Sequence, residues 1–169
     1  MLYLIQKIRK GEKTMDKMIV FDMDGTIVDL YSVNNWLDKL RAFDETPYKN
    51  AKPLYNMEIL NALLNKLKQN GYKIVITSWL SKNSNKEYDK KVRQAKKEWL
   101  NKYNFPFDEI HLIKYGTPKA YCTKGKANFQ ILVDDNLEVR LAFENYKSAV
   151  SNKTIDAKEN IIPELYKLL

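Results

Sequence analysis

The chain is predicted to be an α/β protein of one domain with a mainly parallel sheet, and three observations carry that prediction. Short apolar runs rich in β-branched residues, such as Ile19-Val20-Phe21, Ile74-Val75-Ile76 and Ile131-Leu132-Val133, read as strands buried on both faces. Longer segments between them repeat apolar residues every three or four positions, and that alternation of strands with amphipathic helices is the pattern of a parallel sheet. Polar groups gather directly after the runs, as Asp22 and Asp24, Thr77 and Ser78, and Asp134 and Asp135. The carboxyl ends of strands are where open α/β sheets place ligands.

Composition bounds the rest. A chain of 169 residues buries a core without disulfides or metals as staples, and 44% hydrophobic with 30% charged residues excludes a disordered polymer. A mean hydropathy of -0.53 and the absence of an apolar run near twenty residues argue against a membrane protein. The single Cys122 cannot form an internal disulfide, and no Cys/His cluster has zinc-site spacing, so a cytoplasmic location is expected. The net charge of +8 favours anionic partners, nucleotides and nucleic acid among them, unless the lysines serve only solubility.

Taken in order, residues 1–14 form an N-terminal extension with Leu2, Leu4, Ile5 and Ile8 at spacings that suit a short amphipathic helix. Residues 9–14 can be encoded by a purine-rich stretch resembling a ribosome-binding site, which makes Met15 an alternative start and residues 15–169 the domain. The first strand follows Lys17. Ser32 then caps a helix carrying Val33, Trp36, Leu37 and Leu40 on one face, and Arg41 to Pro53 reads as a loop. A second helix shows Met57, Leu60, Leu63, Leu64 and Leu67, with Asn70-Gly71 as its stop.

The second strand, Tyr72 to Thr77, ends on the Thr77-Ser78 hydroxyl pair. A long helix follows with Tyr88, Val92, Ala95, Trp99 and Tyr103 on one face, while its remaining faces, largely Lys, are solvated or track a nucleic-acid backbone. Glu109 to Ile113 is a third strand whose His111 reads as a packed residue. Thr117 and Pro118 suit the cap and first position of a helix. Phe129 to Val133 is the fourth strand, followed by a helix over Leu137 to Tyr146, a short strand near Ala149-Val150, and a helix with Ile161, Ile162, Leu165 and Leu168.

The chemistry concentrates at the strand ends. Asp22 and Asp24 alternate across a strand yet converge once Gly25 turns the chain, which suits a hard divalent cation. The first carboxylate is placed to attack phosphorus and the second to move a proton. An EF-hand loop is excluded, because Met23, Thr26 and Ile27 stand where further calcium ligands belong.

Asp22-Met23-Asp24-Gly25-Thr26 after an apolar strand resembles the first signature motif of the haloacid dehalogenase (HAD) superfamily of phosphohydrolases. The resemblance extends over residues 17–150 and implies a three-layer Rossmann-like core. Only a small helical cap, about residues 30–55, fits before the second strand, which implies an open site. By resemblance Thr77 donates to a phosphoryl oxygen with Ser78 beside it, and Asp134-Asp135 is the fourth motif in its double-Asp form. Mg²⁺ would lie between Asp22, the backbone carbonyl of Asp24 and the final pair, with Asp135 ligating and Asp134 positioning it or the lysine. The third motif is a lysine. Lys119 comes soonest after the third strand, Lys124 stands ten residues before the acidic pair, and Lys126 is a third choice.

The Thr-Ser pair and double Asp look most like the 5′(3′)-deoxyribonucleotidase branch, from which Trp79 departs. The expected activity is therefore Mg²⁺-dependent hydrolysis of a phosphomonoester through an aspartyl-phosphate, with a nucleoside monophosphate as substrate. The alternatives are a phosphatase acting on nucleic-acid ends and a non-catalytic HAD-fold protein that binds nucleic acid.

Overall fold

The computed structural model describes residues 16–147 and 151–169, and five parallel strands form its central sheet. The strands are β1 (Lys17–Phe21), β4 (Tyr72–Trp79), β5 (Glu109–Ile113), β6 (Phe129–Asp134) and β7 (Ser151–Asp156), in the order β5-β4-β1-β6-β7. Strand β1 is central, so its residues meet protein on both faces. Met18, Ile19, Val20 and Phe21 are each at most 1% exposed, which explains an unbroken apolar run where a one-faced strand would alternate.

The two faces have separate cores. Ile19, Phe21, Ile74 and Ile76 pack against α3 (Met57–Gln69), α4 (Lys86–Lys102) and α7 (Ile161–Tyr166). Met18, Val20, Val75 and Leu132 face Ala120 of α5 (Ala120–Thr123) and Phe143 of α6 (Leu137–Glu144). Helices therefore cover the sheet on both sides, the three-layer arrangement that the alternating pattern predicts. Asn56, Asn85, Asn136 and Asn160 each precede a helix and accept from its first free N–H groups.

Register brings the polar ends to one level. Phe21 is opposite both Ile76 and Val133, so the next residue, Asp22, comes level with Thr77 on one side and Asp134 on the other. Asp22 N–H donates to the Val133 carbonyl at 3.0 Å, which ties the turn to β6. The chain runs outward through β4 to β5, then returns to the other side of β1 for β6. The ends of β1 and β6 thus flank the point where strand order reverses.

The segment between β1 and α3 departs from the sequence reading. Ser32 lies in a 3-10 turn, Leu30–Ser32, and the first helix, α1, spans Trp36–Arg41 after Asn35, whose φ of 54° reverses the chain. The expected loop Arg41 to Pro53 contains α2 (Thr46–Asn50), started by Asp44 accepting from Thr46 N–H at 2.8 Å, with Pro47 in its first turn. It ends in β3 (Lys52–Pro53), antiparallel to β2 (Val28–Asp29). Two aromatic donors pin the segment to α4: Trp99 Nε1 donates to the Ala51 carbonyl at 2.8 Å and the Tyr88 hydroxyl to the Asp44 carbonyl at 3.0 Å.

Three other boundaries move. Helix α5 starts after Lys119, with Thr117 and Pro118 outside it, because Gly116 at φ 82° and a bond from Thr117 N–H to Lys114 make a turn first. Strand β4 runs two residues past Thr77, to Trp79. Strand β7 begins at Ser151, directly after the short strand expected near Ala149-Val150, and extends to Asp156 because Ser-Asn-Lys-Thr-Ile-Asp has the polar composition of an edge strand. Ala149 and Val150 themselves, the helix expected in residues 1–14 and the choice of Met15 as start lie outside the described residues. Among the described residues no helix is long and apolar enough to cross a membrane.

Candidate active site

Four carboxylates and two buried ammonium groups meet at the carboxyl ends of β1, β4 and β6. Asp22 leaves the central strand at 9% exposure, and Lys119 at the head of α5 brings its Nζ to 2.9 Å from Asp22 Oδ1. The same ammonium donates to Asp134 Oδ2 at 2.6 Å. Asp134 is fully buried, and its other oxygen accepts from Asn136 N–H at 2.9 Å, so both of its oxygens are engaged. Asp135 is more accessible and accepts from the Thr26 hydroxyl at 3.4 Å.

Gly25 allows this approach. Its φ is 74°, and a Cβ there would lie 2.6 Å from Asp135 Oδ2 and 2.5 Å from the Tyr31 ring. Arg140 supports the other side of the acidic pair: its guanidinium donates to the Asp134 carbonyl at 2.8 Å and to Asp156 at 2.6 Å.

Asp24 faces a different partner. Its Oδ2 accepts from Lys96 Nζ at 2.5 Å, and Lys96 also donates to Ser78 Oγ at 2.9 Å while lying 4.8 Å from the centre of the Tyr48 ring. The sequence reading left Lys96 among the solvated lysines of α4, yet it is 1% exposed. The signal was its spacing: Lys96 stands four residues after Val92 and three before Trp99, within the apolar stripe.

The other expected residues divide. Thr77 is fully buried and its hydroxyl has no hydrogen-bond partner, whereas Ser78, expected at the substrate, is held by Lys96. Of the three lysines, Lys119 reaches the acids. Lys124 is exposed at the end of α5 and pairs with none of the four acids, which does not fit the substrate contact expected of it; Lys126 pairs with Glu109 at 2.9 Å. A helix of one turn carries Lys119 inward and leaves Lys124 at its outer end.

Burial and mutual repulsion set the electrostatics. Burial first, then the charge of Asp22, pushes Asp134 up to about 6 and raises Asp135 and Asp24 above the ordinary carboxylate range, with Lys119 or Lys96 opposing. Burial disfavours the Lys119 ammonium, but Asp22 and Asp134 outweigh it and hold its pKa up. With all six groups ionised, four carboxylates against two ammonium groups leave an excess of two negative charges.

That excess fits a divalent cation. Asp22, Asp134 and Asp135 each offer an oxygen, all within 4.8 Å of one another, and hard oxygen donors in this number suit Mg²⁺. The Asp24 side chain, expected as a ligand, stands outside this set and is engaged by Lys96.

Asp22 and Asp24 form part of the wall of a cavity of about 640 Å³, lined also by Tyr31, Trp36, Phe43, Tyr48, Trp79 and Tyr115, with Arg41 and Lys82 among them. Tyr31 and Trp36 meet edge to face at 5.1 Å, and Trp79 and Tyr115 lie at 4.8 Å. The segment between β2 and α3 supplies much of this lining, from Leu30 to Tyr48.

Two solved structures of the HAD domain of the effector protein Lem4 from Legionella pneumophila, one of them an inactive mutant, are similar to this chain. The mutant has 16% sequence identity and a TM-score of 0.48, the other 18% and 0.46; each alignment covers 90% of this chain and 92% of that domain. No protein-family model matches the chain, and no curated protein matches it.

Proposed function

We propose that the chain is a Mg²⁺-dependent phosphomonoester hydrolase acting on a nucleotide. One observation carries the reading: Asp22 stands at the end of the central strand beside the Lys119 ammonium, its carboxylate within 4.8 Å of Asp134 and Asp135, on the wall of an open cavity. A nucleophile, a neutralising cation and a set of metal-binding oxygens are thereby combined in one place.

In this mechanism Asp22 attacks phosphorus and the ester bond to the leaving oxygen breaks, giving an aspartyl-phosphate. Asp24 protonates the departing oxygen, for which its raised pKa is suited, and then takes a proton from the water that hydrolyses the acyl-phosphate. Lys96 holds the Asp24 carboxylate in one orientation through a contact shared with Ser78. Lys119 neutralises charge on the phosphoryl group, and the Thr77 hydroxyl, buried without a partner, supplies a donor. Bound at Asp22, Asp134 and Asp135, Mg²⁺ supplies charge neutralisation. The aromatic walls suit a nucleobase as part of the leaving group. A second reading keeps this chemistry and places the phosphate at a nucleic-acid end, favoured by the net charge of +8.

The lone, half-buried Cys122, whose thiol burial pushes up, accords with a reducing compartment and a cytoplasmic enzyme. The experiment is phosphate release from nucleoside monophosphates and an aryl phosphate. Turnover with Mg²⁺ is expected, lost in EDTA and in folded Asp22→Asn. A folded, Mg²⁺-loaded sample that releases no phosphate from any of them overturns the reading.

A further inference from the structure

The outer surface of α4 carries a row of charge that the hydrolytic site does not use. Lys86, Lys90, Arg93 and Lys97 are all exposed and stand at i, i+4, i+7 and i+11, so they form one stripe along the helix. Among the described residues none of the four has a carboxylate within ion-pair distance. The adjoining stripe of Glu87, Lys91, Gln94 and Glu98 mixes charges, and there Gln94 donates to Glu98 at 2.8 Å. Evenly solvated lysines would not sort in this way.

Position gives the stripe its direction. Asn85 caps α4 immediately after the β4 loop, in which Leu80, Ser81, Lys82 and Asn83 line the cavity. Lys82 also lies 5.7 Å from the centre of the Tyr115 ring, at the cavity wall. Positive charge therefore runs from the cavity onto the helix and along it for roughly 16 Å, at 1.5 Å per residue. Arg93 donates to the Leu112 carbonyl and keeps the middle of the stripe beside the edge strand β5.

Resting on the phosphohydrolase reading, we propose that the substrate is the phosphorylated end of a single-stranded nucleic acid. Its terminal nucleoside sits among Tyr31, Trp36, Trp79 and Tyr115, and its following phosphates lie along Lys82, Lys86, Lys90, Arg93 and Lys97. Aromatic platforms joined to a cationic groove are the physical requirements for binding a single strand without sequence preference. An anionic membrane is the weaker partner for this helix, because the residues flanking the stripe are polar and offer no apolar face to lipid.

The test compares hydrolysis of a phosphorylated octanucleotide with that of the matching mononucleotide, each rate normalised to aryl phosphate hydrolysis by the same sample. The variants are Lys86→Gln/Lys90→Gln/Lys97→Gln and, as control, Lys66→Gln/Lys91→Gln/Lys102→Gln. The wild-type chain is expected to favour the octanucleotide in kcat/KM by tenfold or more at low salt. The stripe variant should lose most of that preference, and its log–log salt dependence should flatten by about two, or roughly 0.7 per lost contact. The control should keep both. Equal use of octanucleotide and mononucleotide, an equal loss in the control, or retention by anionic vesicles with no oligonucleotide preference overturns the proposal. Aryl phosphate turnover without that preference removes this inference alone, whereas no turnover at all removes the hydrolase reading with it.

Discussion

Replacing Lys96 by Met tests whether a buried ammonium holds the second aspartate. Methionine keeps the unbranched stem within the α4 packing but removes the charge that Asp24 Oδ2 meets at 2.5 Å and Ser78 Oγ at 2.9 Å. Asp24 Oδ1 is already buried without a partner, so the variant leaves both carboxylate oxygens without a counter-charge from α4. Removing one member of a buried pair costs about 3–5 kcal/mol. The low end is expected here, because burial and Asp22 already raise the Asp24 pKa and protonation gives the orphaned acid an escape. A loss of about 3 kcal/mol at pH 8 corresponds to a Tm drop of roughly 6–12 °C for a chain of this size. The penalty belongs to the ionised acid, so it shrinks as the pH falls through the raised pKa. Urea denaturation of Lys96→Met, Asp24→Asn and the double variant gives the coupling. Asp24→Asn should restore much of what Lys96→Met loses, because an amide needs no counter-ion. A loss below about 1 kcal/mol in Lys96→Met, or additive losses in the double variant, would refute the reasoning.

Three further outcomes follow from the same geometry. With its folded pKa raised to about 6 against an ordinary 3.8, Asp134 favours the protonated folded state, so its own contribution to the stability of metal-free protein, read as the difference from Asp134→Asn, should fall by roughly 3 kcal/mol as the pH rises from about 4 to 6. Mg²⁺ should offset that loss at pH 7, and thermal melts that coincide in EDTA and Mg²⁺ would contradict it. Gly25→Ala, whose Cβ would sit 2.5 Å from the Tyr31 ring and 2.6 Å from Asp135 Oδ2, should weaken Mg²⁺ binding tenfold or more by calorimetry while the left-handed backbone costs roughly 1–2 kcal/mol; unaltered binding would argue against Asp135 as a ligand. Lys119→Met should reduce kcat at least a hundredfold while Lys124→Gln leaves it within twofold, and steady-state kinetics showing the reverse order would return the role to Lys124.

The sheet and the order of its polar ends were legible because a strand buried on both faces must be an unbroken apolar run, and such a run stands out beside helical spacing. The same rule hid the extent of β7, an edge strand with polar residues at most positions, of which only the neighbouring Ala149-Val150 stood out. Asp22, Asp24, Asp134 and Asp135 announced themselves as charges set directly against apolar strands. Lys96 did not, because a lysine in a lysine-rich helix gives no compositional signal, and only its place between Val92 and Trp99 marked it as inward. Lys119 and Lys124 were indistinguishable by spacing, since the direction of each depends on where a single turn of helix begins, and Gly116 delays that start. The segment from Leu30 to Tyr55 was hardest, because its short elements are held by tertiary contacts from Tyr88 and Trp99 and not by local preference.

The central place of β1 bears on the chain before it has folded. Both neighbours of this strand come late: β4 starts at Tyr72 and β6 at Phe129. During synthesis Met18 to Phe21 is therefore an apolar β-forming segment with neither partner yet made, the kind of stretch that joins to its like in other molecules. Lys17 stands at its head and Asp22 and Asp24 at its foot, and charges flanking such a segment act as gatekeepers against that association. The aspartates assigned to phosphate chemistry would thus have an earlier duty in keeping the nascent strand soluble, and substitutions that neutralise both are expected to lower the yield of soluble protein as well as activity.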